Sequence, residues 1–543
     1  MTTRRYTNIG ISLVLVLLAM SGACSNLYYY NFGGEGVNIG TYIVFAISLL
    51  GFLIGLVNVR AIAAARMGRL LLALLTLGVL LALYFTFCFG KDRTVALKAT
   101  LSFFFIPLIS IGAYALAGRD GTPFARLLLF LGVLFSGIGI LQFLVGINTT
   151  VGWQVLHGEE YLCFWDIGWI RPTAWVGNSI LYSALVYMLF IFAYQYYLLK
   201  GGALAFLSSL LLVGAIYVAM SRYTLLITVV SWFALSLMWC VFQANTLRVL
   251  MRACAVTLVS IVLMMSLSYY NSLGIGMWRL KSSQPVVDAE TNPIANSQQA
   301  LPALEQPNAV DEKEPPSNDL SRNANKQVNE VIDSDSATST QRDTFSAQPA
   351  ISNAEPDVAA AQQTPEATAG IVPVIFDRFR TSSQYSQGSN KMHAWETQQA
   401  IQRILDGQGP AGWGSEGISA KSSTITDGLW FQFAIEVGML NAGLFICWLL
   451  LIFVFAAMGI VGAYRRHRAA GRVSIDIKQS AFLYVSGISV LAYAAYALLG
   501  GVINSSYACR ITYALFWVLI GCFMKAVDAS HGQETKRLGD DRI

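Results

Sequence analysis

The chain has only four histidines, His157, His393, His467 and His531, and its eight cysteines stand singly at Cys24, Cys88, Cys163, Cys240, Cys254, Cys447, Cys509 and Cys522. No CxxC pair and no Cys/His ligand spacing occurs, which excludes a zinc site or disulfide framework readable from spacing. So few histidines argue against a multi-histidine metal centre. A chemistry without protein-bound metal or cofactor is expected. Charge is scarce as well: 12% of the 543 residues are charged against 55% hydrophobic, a balance outside the range of soluble globular proteins. No nucleic-acid partner is expected.

What the sequence has instead is long apolar runs. Twelve are long enough to cross a hydrocarbon core of ~30 Å at ~1.5 Å per helical residue; they lie near 8–24, 38–58, 70–90, 96–117, 127–146, 176–199, 202–220, 223–242, 249–269, 439–462, 480–500 and 507–524. The expectation is an all-α integral membrane protein of about twelve transmembrane helices. Its start, "MTTRRYTNIGISLVLVLLAMSGACS", has the basic, apolar and small-residue order of a signal sequence. A retained first span is the preferred reading over cleavage, because more spans follow.

With a cytoplasmic amino terminus, the twelve spans put 19 of the 36 basic residues inside and six in short outer connections, the rest lying in one long outer segment. That asymmetry follows the positive-inside rule, so both termini are expected in the cytoplasm. The two largest non-apolar segments, Asn148–Trp175 and Asn271–Asp427, then fall outside.

Four stretches are expected: spans one to nine in 1–270, an insert at 271–370, an ordered interfacial segment at 371–438, and spans ten to twelve with a cytoplasmic tail in 439–543. Residues 281–370 hold nine of the 14 prolines, 14 acids against five bases, and a single aromatic, Phe345. Such a stretch cannot bury enough apolar surface to offset its chain entropy, and a disordered acidic spacer is expected. An interaction tail is the alternative.

Past 371 the aromatics return. In "NKMHAWETQQAIQRIL", Met392, Trp395, Ile401, Ile404 and Leu405 recur at helical intervals, which predicts an amphipathic helix. In "LDGQGPAGWGSEG", Gly407 suits its left-handed cap and Pro410 bars continuation. Gly409, Gly412 and Gly414 allow a tight return; they also permit backbone N–H groups to approach an anion, but a plain turn is the preferred reading. In "GLWFQFAIEVGML", Trp430, Phe433, Ala434 and Val437 share one face and Gln432 and Glu436 another, the pattern of an interfacial helix.

Three outer arginines abut spans: Arg171 before the sixth, Arg222 in the two-residue "SR" junction between the seventh and eighth, and Arg510 at the start of the twelfth. A cation held at the membrane boundary is costly and suggests a partner. Snorkelling to lipid headgroups is the alternative: it is preferred for Arg510, and both readings stay open for Arg222. Arg378, Arg380 and Lys391 add positive charge. Together they suit a phosphate-bearing lipid, since one arginine at ~4 Å from a phosphate charge is worth about 4 kcal/mol at an effective dielectric of ~20. The guanidinium fork also matches phosphate oxygens bidentately. For a general base the candidates are Asp427, Glu436, Glu416 and His393, each with a plainer role, helix capping in the case of Asp427.

The run "GSNKMHAWETQQAIQRILDGQGPAGWGSEG", then "TDGLWFQFAIEVGMLNAGLF", with "SRYTLLITVV" from Ser221, resembles the bacterial O-antigen polymerase and ligase superfamily. The family pattern of basic residue, tryptophan helix, G-x-G turn, polar residue and E-x-G is matched by Lys391, Trp395, Gly412 with Gly414, Asp427, and Glu436 with Gly438. The resemblance implies a multi-pass protein of the bacterial inner membrane. It also implies inverting, metal-independent glycosyl transfer at the periplasmic face from an undecaprenyl-pyrophosphate-linked glycan. Arg171, Arg222 and Arg378 or Arg380 would hold the pyrophosphate, and Asp427 would be the base. A chain-length regulator and a repeat-unit flippase are the implied partners. Where the family's ligases carry a histidine this chain has Thr426 and Asp427, which favours a polymerase of O-antigen or exopolysaccharide. The alternatives are a ligase or protein O-oligosaccharyltransferase, a polysaccharide or lipid transporter, and a scaffold whose acidic insert docks partners.

Overall fold

The protein is described here by a computed structural model covering residues 29–32, 35–89, 104–117, 121–145, 163–164, 169–174, 176, 179–243, 245–273, 398, 439–469, 477–500 and 510–540. All of these lie in the compact unit formed by Met1–Gln284 with Gly370–Ile543; a second unit, Pro285–Ala369, lies outside the described residues.

The described chain is helical, as apolar segments in a bilayer must be when no water can satisfy their backbone groups. The helices are α1 (Ile39–Val57), α2 (Val59–Ala64), α3 (Arg66–Phe89), α4 (Ile109–Leu116), α5 (Thr122–Val145), α6 (Ser179–Lys200), α7 (Ala203–Ala219), α8 (Arg222–Phe242), α9 (Thr246–Ser272), α10 (Met439–Ala469), α11 (Ile477–Gly500) and α12 (Arg510–Asp540). Among the described residues, eight are long and apolar enough to cross a membrane: α3, α5, α6 and α8 to α12. They fall on the third, fifth, sixth and eighth to twelfth expected spans. The second, fourth and seventh fall on the shorter apolar helices Tyr42–Val57, Ile106–Leu116 and Ala203–Ala219, and the first lies outside the described residues. The chain is thus a helical, multi-pass membrane protein.

The helices differ sharply in depth. The spanning window of α6 is 89% buried and that of α12 is 83% buried, whereas α8 is only 17% buried. Hence α6 and α12 form the centre, while Leu226, Val229, Val230, Phe233, Leu237 and Val241 of α8 stay exposed. Such a face suits lipid, which is itself apolar.

Polar groups join helices where the burial is deepest. Between α6 and α8, Ser183 meets Thr224 at 3.0 Å, Tyr187 meets Ser231 at 2.8 Å and Tyr194 meets Ser236 at 2.5 Å. This ladder makes α6 and α8 run in the same direction. The indole N–H of Trp448 in α10 donates to the Leu74 carbonyl of α3 at 2.9 Å. Close backbone approach does the same elsewhere: a Cβ on Gly112 of α4 would stand 2.5 Å from the Gly51 carbonyl oxygen of α1, so only glycine admits that crossing.

At the bundle end away from Arg222, α12 continues beyond the expected span limit near 524. The reason is packing: Val527 is buried, and Asp528 accepts hydrogen bonds from the Met67 and Gly68 backbone N–H groups at 3.1 and 3.2 Å and from the Tyr114 hydroxyl at 2.6 Å. A carboxylate at the first turn of α3 satisfies otherwise unpaired donors and complements the helix dipole. At the same end Arg252 of α9 donates to the carbonyls of Tyr197, Leu198, Leu199 and Lys200, closing the carboxyl terminus of α6. The chain turns there through Gly201 at φ +73° and Gly202 at φ +101°, backbone angles that glycine adopts freely.

Two short antiparallel ladders accompany the helices. β1 (Tyr29–Phe32) pairs with β2 (Glu35–Asn38), with Tyr29 opposite Asn38. β3 (Cys163–Phe164) pairs with β4 (Trp169–Ile170), with Cys163 opposite Ile170. Runs this short cannot be told from helix or loop by periodicity. The expected insert and interfacial segment lie, apart from 271–273 and 398, outside the described residues.

Candidate functional site

Arg171 follows β4 directly, and the residues just after it meet Gln142, a buried amide near the end of α5. Gln142 Oε1 accepts from the Ala174 N–H at 2.7 Å and the Thr173 N–H at 3.2 Å, while its Nε2 donates to the Ala174 carbonyl at 3.3 Å. Ala174 has φ +44°, an angle that costs a residue with a Cβ about 1 kcal/mol or more. The amide holds that turn closed. With the backbone so fixed, Arg171 Nε donates to the Ala219 carbonyl at 3.3 Å.

Ala219 is the last residue of α7, where carbonyls lack intrahelical partners and a cation is favoured. The chain then reverses within two residues. Met220 takes the left-handed angle φ +53°, Ser221 is extended, and Arg222 begins α8. The Ser221 hydroxyl does not cap α8; it meets the Thr224 hydroxyl at 3.0 Å instead. No acid stands in the first turn of α8.

Thr224 is the hub of this junction. Its hydroxyl is within 3.0 Å of Ser221 and Ser183 and 2.9 Å of the Tyr496 hydroxyl of α11. Tyr223 adds a bond of 2.7 Å from its hydroxyl to the Tyr496 carbonyl, and its ring lies against Gly500. The ends of α6, α8 and α11 nearest Arg222 are therefore tied together beside that residue, whose own side chain is exposed.

Burial, and then the charge of Arg222, push the Arg171 guanidinium down to about 10, so it stays cationic at neutral pH and is repelled by Arg222. The amino-terminal dipole of α8, uncapped by Ser221, has the same sign. Two guanidiniums near one helix amino terminus concentrate positive charge at this junction, and the guanidinium fork has a geometry suited to phosphate oxygens. Among the described residues no three His, Cys, Asp or Glu side chains gather as metal ligands.

The structure thus brings together two of the expected site residues, Arg171 and Arg222. Asp427, Arg378, Arg380, Lys391, Trp395, Gly412, Gly414 and Glu436 lie outside the described residues, as do His393 and Glu416. Gln142, Thr224 and Tyr496 were not anticipated. Gln142 carried a legible signal, a lone amide in the apolar run "GILQFLVG"; polar groups inside a span tend to have assigned work. Compared with known proteins, the chain matches no family model and no curated protein sequence.

Proposed function

We propose that the chain is a membrane glycosyltransferase that polymerises undecaprenyl-pyrophosphate-linked oligosaccharide repeat units at the periplasmic face of the bacterial inner membrane. In this reading the chain crosses the membrane twelve times, with both termini in the cytoplasm, and Arg171 and Arg222 face the periplasm. The observation that carries it is the Arg171–Arg222 junction, two like charges held at a bundle end with a partly buried guanidinium. Repulsion of that kind is relieved by a bound dianion, and a lipid diphosphate supplies one at membrane depth.

The chemistry is one displacement. An acceptor sugar hydroxyl attacks the anomeric carbon of the donor glycan; the glycosidic bond forms as the carbon–oxygen bond to the diphosphate breaks, and the electron pair leaves with the lipid diphosphate. The hydroxyl proton passes to a base, assigned here to Asp427. Arg171 and Arg222 stabilise the negative charge that grows on the departing diphosphate, which is stabilisation aimed at the transition state. The resemblance of the 390–445 motifs to the O-antigen polymerase and ligase superfamily supports the same reading.

Loss of the gene tests polymerase against ligase. A polymerase mutant retains single repeat units on their final acceptor, whereas accumulation of long lipid-linked chains assigns ligation instead. Cysteine labelling tests the sidedness: probes at 171 and 222 that react only from the cytoplasm would remove the proposal.

A further inference from the structure

Resting on that reading, we propose that Gln142 is a positioning residue for the diphosphate site: it sets Arg171 in place by holding the 171–174 turn, without touching the ligand itself. An amide buried in a membrane helix is costly unless its polar atoms are used. Gln142 is 2% exposed, and three of its hydrogen bonds go to two consecutive residues, Thr173 and Ala174. Those residues lie two and three positions after Arg171, and one of them occupies a left-handed angle that alanine disfavours. Both of the freed peptide N–H groups point at one oxygen, so the amide replaces the hydrogen bonds that a regular element would have given. Val176 N–H closes the same turn on the Thr173 carbonyl at 2.9 Å. Arg171 in turn reaches the Ala219 carbonyl, so the α5 amide is linked through one short segment to the end of α7 and the start of α8. The setting of Arg171 at this junction is thereby governed from α5, a helix that carries neither arginine.

The test needs a readout independent of turnover. Phenylglyoxal modification of Arg171, followed by mass spectrometry of the full chain in detergent, reports the setting of that guanidinium with no substrate present; binding of undecaprenyl pyrophosphate is measured on the same samples. Gln142→Leu, of similar volume, is expected to change the Arg171 modification rate several-fold relative to Arg252 and to weaken lipid binding about tenfold. Ala174→Gly removes the steric cost of the left-handed turn, and in the Gln142→Leu background it is expected to restore both most of the way. A change in Arg171 reactivity and its rescue, with no lipid binding even in the unaltered protein, supports the positioning role and defeats the diphosphate reading. Unchanged Arg171 reactivity in a folded Gln142→Leu protein overturns the inference, as does a loss that Ala174→Gly leaves unrepaired.

Discussion

Arg171 donates from Nε to the Ala219 carbonyl at 3.3 Å, and three residues past Ala219 the chain presents Arg222. One arginine thus closes the carboxyl end of α7 while the next opens the amino end of α8, across a reversal only two residues long. The first cation sits where a helix dipole welcomes it and the second where a dipole opposes it. The second is therefore the one that a nearby anion would stabilise.

Arg222→Ala is predicted to lower glycan extension by roughly 100-fold or more, the order found when one preorganised donor to a developing anion is removed. Membrane insertion and Tm are expected to hold, because the Arg222 side chain is exposed. Arg222→Lys recovers little, since a point charge replaces a planar fork. Near-normal extension by the alanine variant would take Arg222 out of the mechanism.

Diphosphate affinity is predicted to fall as pH rises through about 10, the value to which burial and Arg222 push Arg171. A bound anion favours the protonated guanidinium, so binding takes up protons there and is flat at neutral pH. For the empty protein the sign reverses: the charged form is penalised by folding below that value, and the penalty is relieved above it. Binding isotherms of undecaprenyl pyrophosphate across pH 7 to ~10.5 check this; a flat profile would separate Arg171 from the ligand.

Thr224→Val removes one hydroxyl that meets Ser183, Ser221 and Tyr496 and changes little in volume. A stability loss of roughly 1–2 kcal/mol is expected, with extension reduced about tenfold because the backbone beneath Arg222 loosens. Thermal unfolding in detergent beside an extension assay measures both.

Asp528→Ala is predicted to destabilise the protein by roughly 1–2 kcal/mol, since two backbone N–H groups of α3 and the Tyr114 hydroxyl lose their acceptor at a helix amino terminus. It lies at the opposite bundle end from Arg222, so extension per folded molecule should be unchanged. A specific loss of turnover at full stability would contradict that separation.

Deleting residues 285–368 is predicted to leave extension intact, the stretch being read from its proline and acid content as a spacer. Complete loss of activity in a stably inserted protein would point to a docking role.

The helical class was legible because lipid permits few spanning structures, so long apolar runs suffice to place α3, α5, α6 and α8 to α12. The pairing of Arg171 with the "SR" junction was half legible: boundary arginines announce themselves, but their meeting depends on the order of α5, α7 and α8 in the bundle. The contacts of Gln142 and Tyr496 were out of reach for the same reason, although Gln142 itself stands out as a lone amide in an apolar run: each acts on an element remote in sequence, by 31 residues from Gln142 to Thr173 and by 272 from Thr224 to Tyr496. The continuation of α12 past 524 was missed because Asp528 reads as a tail charge until α3 is seen beneath it. No spacing within the chain encodes such contacts.

The most direct measurement is reconstitution of the purified protein in liposomes with undecaprenyl-pyrophosphate-linked repeat units, in the absence of any ion gradient. Release of undecaprenyl pyrophosphate together with longer lipid-linked glycans, both abolished by Arg222→Ala, is the predicted result. Movement of the lipid-linked unit across the bilayer with no new glycosidic bond would contradict it.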